Sequence, residues 1–286
     1  FASVTKVTLP SDLDTIASHA FWNFQGSLGE NFKLPASVTT LEDYAFNKSQ
    51  GLKDISIPAT VTTIGKYVFS ASSVENVTFE QGATNTGKYA FYDCKNLATV
   101  TLPGSLASID ESAFRSCPAL TRVIVSVTPE DLTSEGLTIG DYAFYETGLA
   151  GELTIPYGVT SIGNYAFTYS KLTKVSLPAT LTAIGNYSFA FMDNLTDINV
   201  PYTVKTIGQS AFAGNPKLAN VTFDETPEGV EESSLVITGG GVATNLTSTG
   251  YVYKVEELNS QVRGLFVGDM ALHTVALPTR LKSLPS

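Results

Sequence analysis

LTKVSLPATLTAIGNYSF at 172–189 returns as LTDINVPYTVKTIGQSAF at 195–212 and as LKDISIPATVTTIGKYVF at 52–69. The closing phenylalanine falls at Phe21, Phe46, Phe69, Phe91, Phe114, Phe144, Phe167, Phe189 and Phe212. Proline marks one position of the phrase at Pro10, Pro35, Pro58, Pro103, Pro156, Pro178, Pro201 and Pro278. The unit is therefore about 23 residues, the mark of a repeat architecture. Inside one unit, Val175 and Leu177 alternate with Lys174 and Ser176. That period of two describes a short strand with one buried face. Proline, which has no N–H, then ends the ladder. Leu181, Ile184, Ser188 and Phe189 follow three to five apart, the spacing of a helical or 3₁₀ turn with one inward side. A strand and a turn cannot close a core alone, but stacked copies can. The expected fold is an α/β repeat solenoid: a parallel sheet on one side, short helical or 3₁₀ turns on the other.

Composition removes several functions. The 286 residues carry 17 Lys and Arg against 27 Asp and Glu, a net charge of −10, with no basic cluster. Nucleic acid and anionic membrane surfaces both need positive charge. No apolar run is long enough to span a bilayer. The chain starts at Phe1 without a leader pattern, so any signal peptide is expected to have been removed or to lie outside this sequence. Cys94 and Cys117 cannot form a disulfide framework, and no C-x-x-C is present. They lie 23 residues apart, each three residues after a repeat phenylalanine, so adjacent rungs place them at a distance that permits a disulfide. Buried free thiols, acting as small fillers like Ser49 and Ser72 at the equivalent sites, are the other reading.

The L-x-x-L-x-L frame and the dress LPxxLTxIGxYAFxxC resemble BspA-like leucine-rich repeats. Residues 94–117, from CKNLATVTLPGSLASIDESAF to Cys117, carry it most fully. The resemblance covers residues 1–223 and returns at 272–284. It implies a leucine-rich repeat arc, a secreted or surface-anchored location, and adhesion to host matrix proteins or cells.

Three departures organise the chain. Residues 1–223 read as the array, with about nine complete units and the start of a tenth. An insert lies at 125–136. Residues 224–271 lose the phrase and read as β segments around Gly239–Gly241, with a hairpin. Residues 272–286 read as a partial final repeat. Both ends fall inside a repeat without a polar cap, so a longer array is expected.

No catalytic constellation emerges. His19 and His273 fall ten to eleven rungs apart, about 50 Å at the rung spacing of parallel strands, and cannot share a site. No phosphate-binding glycine loop, nucleophile elbow or metalloprotease string occurs. The acidic stretch 224–233 matches no calcium loop and reads as solvated. The chain is thus expected to be non-enzymatic, without metal or cofactor. Tyr44, Tyr67, Tyr89, Tyr142, Tyr165 and Tyr187 form a ladder that packs its rings against each other or holds sugar or peptide. On the exposed strand rows, Arg122 with Ile124 interrupts a Thr and Ser monotony. In the 224–271 stretch, Tyr251 and Tyr253 fall on an expected strand. These four residues are the expected binding positions, since identical rungs cannot fix a partner's register. The sequence reads as an extracellular binding or adhesion module. It would act as a monomer on a host matrix or cell-surface protein or glycan, without nucleic acid or membrane insertion. The alternative is a spacer projecting another domain.

Overall fold

Alternation along the strand phrase decides which side each residue takes. In Asp54–Ile57, Ile55 and Ile57 are buried while Asp54 is exposed and Ser56 half-buried. A computed structural model describes residues 3–29, 32–126, 136–228, 230, 235–237, 252–254, 274–276 and 281–283. The chain divides into two compact units, Phe1–Leu149 and Ala150–Ser286.

The strands of the first unit are β1 (Thr15–Ile16), β2 (Thr40–Leu41), β3 (Asp54–Ile57), β4 (Thr63–Ile64), β5 (Asn76–Phe79), β6 (Thr99–Pro103), β7 (Ser108–Ile109), β8 (Arg122–Ser126) and β9 (Leu137–Ile139). The longer ones form a parallel sheet in the order β3-β5-β6-β8, with Ile55, Val77, Val100 and Val123 in one register line. The short ones make a second parallel row: β1 pairs with β2, β2 with β4, and β7 with β9.

The second unit repeats the plan with β10 (Ala150–Thr154), β11 (Val159–Ile162), β12 (Lys171–Ser176), β13 (Ala183–Ile184), β14 (Asp197–Val200), β15 (Thr206–Ile207), β16 (Asn220–Phe223), β17 (Leu235–Ile237), β18 (Val252–Lys254), β19 (Thr274–Ala276) and β20 (Leu281–Ser283). Its sheet runs β10-β12-β14-β16-β19-β18. Leu235–Ile237, inside the stretch read as irregular, pairs parallel with β15 and takes the second-row position of the tenth coil. The stretch after it is bridged by the sheet: Thr274 and Val275 pair in parallel with Asn220 and Val221. The antiparallel neighbour of β19 is β18, from within that stretch. Gly239–Gly241 lie outside the described residues.

The side opposite the sheet corrects the sequence reading, because no helix occurs among the described residues. Tyr44 and Lys48 both have positive φ, at 61° and 58°, which limits any right-handed run to three residues. The pattern recurs at Tyr67 and Ala71, Tyr89 and Asp93, and Tyr187 and Phe191. Backbone bonding explains why the chain accepts it. Alternate N–H groups close local turns: Ala45 N to Glu42 O, Asn47 N to Tyr44 O, Ser49 N to Phe46 O. Those between them reach the next coil: Tyr44 N to Lys66 O, Phe46 N to Val68 O, Lys48 N to Ser70 O. A helix would satisfy the same donors locally and leave the coils unjoined. The apolar spacing that suggested a helix is met by consecutive turns.

The phenylalanine spine fills the core. Phe46, Phe69, Phe91 and Phe114 are fully buried and stack from coil to coil, with centroids 5.0–5.5 Å apart. In the second unit Phe167, Phe189 and Phe212 do the same. At Gly208 the preceding coil leaves no room for a side chain, although Ala17, Glu42 and Asp110 stand at the same place in other coils. A Cβ on Gly208 would lie 2.3 Å from the Asn186 nitrogen of the preceding coil.

Candidate functional site

The left-handed tyrosine position turns its ring out of the core and over the ring of the next coil. Tyr44 stacks on Tyr67 at 5.2 Å and Tyr67 on Tyr89 at 4.7 Å. His19 takes the tyrosine place in its own coil and stacks on Tyr44 at 5.1 Å. Trp22 stands beside it, 49% exposed. The next coil has Ser112 where the tyrosine belongs. Arg115, three residues on, enters the ladder instead. Its guanidinium carbon lies 4.8 Å from the centre of the Tyr142 ring, 4.9 Å from Tyr145 and 5.9 Å from Tyr92. A guanidinium carbon this close over an aromatic face is attracted by the negative centre of the ring. Tyr92, Arg115 and Tyr145 each follow a spine phenylalanine directly, on three successive coils, and all three are half-buried.

One carboxylate sets the electrostatics at the edge of this cluster. Tyr89 Oη donates to Glu111 Oε1 at 2.5 Å, and Lys88 Nζ lies 3.4 Å from Glu111 Oε2. The bond to Glu111 pushes the Tyr89 hydroxyl up to about 12, and the same bond holds Glu111 below the usual carboxylate range. A neutral tyrosine and an ionised glutamate are thereby locked together at neutral pH.

The sheet face is built differently. Its polar residues bond to each other from rung to rung. Asn76 Nδ2 donates to Asp54 Oδ1 at 2.7 Å, Asn220 Nδ2 to Asp197 Oδ1 at 2.6 Å, and Thr222 Oγ1 to Asn199 Oδ1 at 2.7 Å. Lys174, Asp197, Asn199, Asn220 and Thr222 border a shallow depression there. On β8, Arg122 is exposed, while Ile124 beside it is half-buried in line with Thr101. Tyr251 lies outside the described residues, and Tyr253 is described only as the middle residue of β18 in the other unit. Residues 127–135 of the insert, part of the 224–233 acidic stretch, and His273 also lie outside them. Among the described residues, no group of three or more His, Cys, Asp or Glu is placed to hold a metal ion.

Cys94 and Cys117 are free and buried. Each Sγ donates 3.1 Å to the carbonyl of a spine phenylalanine one coil back, Phe69 and Phe91. Burial pushes the Cys94 thiol up to about 12 and Cys117 well above its ordinary value, so neither offers a thiolate. At the equivalent place Asn215 does the same work more fully, with Nδ2 donating to Phe189 O and Phe212 O and Oδ1 accepting from Met192 N. Met192 fills this slot too, so it is not reserved for small side chains.

Three solved structures resemble the chain. A leucine-rich repeat protein from Eubacterium ventriosum ATCC 27560 is 19% identical, with a TM-score of 0.52 over 94% of this chain and 71% of that one. One from Bacteroides ovatus ATCC 8483 is 23% identical, with a TM-score of 0.44 over 76% and 72%. The pneumococcal vaccine antigen PcpA is 20% identical, with a TM-score of 0.43 over 82% and 76%. The first of these supports the fold. Among curated proteins none matches the chain. The family model described as BspA type leucine rich repeat region (6 copies) matches residues 23–136 and 126–236. With that span covering most of its length and its coils built on the I-G-x-Y-A-F turn, the chain belongs to the BspA-type leucine-rich repeat family.

Proposed function

We propose that this chain is a non-enzymatic binding module of a bacterial surface protein, acting outside the cell on a host matrix or cell-surface protein or glycan. The observation that carries the reading is the aromatic and arginine row on the turn side of the first unit. Trp, Tyr and Arg are the side chains that dominate binding hot spots. Here His19, Trp22, Tyr44, Tyr67, Tyr89, Tyr92, Arg115, Tyr142 and Tyr145 fall on one side of successive coils, held by ladders of backbone bonds. A row held this way is organised before a partner arrives, which lowers the ordering cost of binding. Arg122 with Ile124 on the sheet, and Tyr253 on β18, remain secondary contact positions in this reading.

A spacer is the second reading. The self-bonded Asn, Asp and Thr rows of the sheet favour it, because they leave few unmatched groups for a partner. Among the described residues no helix is long and apolar enough to cross a membrane. The test is an array of matrix proteins and glycans probed with the whole chain. Saturable binding to at least one component supports the module. Uniform background across the array supports the spacer.

A further inference from the structure

We propose that Arg115 and the tyrosines around it form a subsite for one carboxylate-bearing sugar residue. The proposal deepens the binding-module reading and rests on it. The tyrosine ladder advances about one ring per coil, at 5.2 Å and then 4.7 Å. Ser112 removes one ring between Tyr89 and Tyr142, and the Arg115 guanidinium, three residues on, lies over the Tyr142 ring. The replacement leaves one polar atom unmatched: the buried Arg115 Nε has no hydrogen-bond partner. The ion pairs formed among the described residues join Lys53 to Glu75, Lys88 to Glu111 and Lys95 to Asp93, so Arg115 makes none of them. A guanidinium held over aromatic rings can still offer its terminal N–H donors to a planar carboxylate. Flanking tyrosine faces, negative at their centres, suit the C–H face of a sugar ring.

Two features narrow the ligand. Glu111 on the coil of Arg115 and Asp93 on the coil before it are already paired with Lys88 and Lys95, Glu146 lies on the coil after, and the chain carries a net charge of −10. A polyanion would be repelled, whereas one carboxylate meets one guanidinium. Peptides that add to a fold through backbone pairing need free strand-like donors. Here Tyr89 N, Ser112 N and Ser116 N are already given to Glu111 O, Asp141 O and Tyr145 O of the next coil. Side-chain recognition of a saccharide is what the surface still offers.

The test is titration calorimetry and saturation-transfer NMR of the whole chain with the methyl glycosides of glucuronic acid, N-acetylneuraminic acid and glucose, and with an acetylated tripeptide bearing a free carboxylate. At least one acidic glycoside is expected to bind in the millimolar range, with the glucoside at least tenfold weaker. Arg115→Gln should weaken acidic binding at least tenfold. Arg115→Lys, which keeps the charge but loses the fork, should weaken it at least threefold. Should Arg115→Gln lose its thermal transition, Arg115→Lys and Tyr145→Ser decide. Equal binding of acidic and neutral glycosides, binding of the tripeptide alone, or unchanged affinity in the variants would overturn the proposal. If no glycoside binds while the array still gives a saturable hit, the subsite fails and the binding module stands.

Discussion

Replacing Phe189 by alanine should cost the second unit about 4 kcal/mol. The ring is fully buried, 5.4 Å from Phe167 on one side at 3° and 6.0 Å from Phe212 on the other at 16°. Losing its transfer from water costs about 2 kcal/mol. The cavity costs about 2 kcal/mol more, because two buried rings locked in their own coils cannot collapse into it. At roughly 2–4 °C per kcal/mol, Tm should fall by about 8–16 °C. The assay is guanidinium chloride unfolding followed by circular dichroism, read as a lower midpoint at unchanged slope. Phe191 is the internal control. It is 39% exposed and stacks outside the spine, on Tyr169 at 5.4 Å and on Tyr187 at 6.4 Å. Its replacement by alanine should cost about 1 kcal/mol. A Phe189→Ala loss below about 1 kcal/mol, or equal losses at the two sites, would refute the spine as the core.

Three further outcomes are expected. Gly208→Ala should destabilise by about 2 kcal/mol or more, since its Cβ would meet the Asn186 backbone nitrogen at 2.3 Å; an unchanged unfolding midpoint would show that the coils can part. Both thiols should resist a bulky disulfide reagent in the native chain and react after denaturation, and fast native labelling would contradict their burial and raised pKa. The Tyr89 hydroxyl is raised by its bond to Glu111, so the stability it lends is present below pH 10 and lost as pH rises towards about 12. Burial raises Tyr67 as well, so ultraviolet titration should show a late tyrosinate fraction that shrinks in Tyr89→Phe, and identical titration curves would remove the bond from the account.

Much of this fold is legible in the letters. Val175 and Leu177 alternating with Lys174 and Ser176 give the strand, and the spaced phenylalanines give the spine. The turn side is less legible, because apolar residues three to four apart suit both a helix and a run of turns. Only the left-handed backbone at Tyr44 and Lys48 separates them, and neither residue type announces it. The site was partly visible as the tyrosine ladder. Arg115 stands out only when the repeats are set in columns. Read down the repeats, the residue after each spine phenylalanine is Trp22, Asn47, Ser70, Tyr92, Arg115, Tyr145, Thr168, Ala190 and Ala213. The aromatic and basic letters in that column, together with Ser112 in the tyrosine column, are the signal that marks the place.

The central claim is that contact is made by the turn side of the first unit. It is tested most directly by carrying two variants through the matrix and glycan array beside the parent: Tyr92→Ser with Arg115→Gln and Tyr145→Ser, and Arg122→Ala with Ile124→Thr. The account predicts that the first variant loses at least tenfold in affinity for whatever the parent binds, while the second stays within about twofold. Retained binding in the turn-side variant, with loss in the sheet variant, would contradict it and move the site to the strand face.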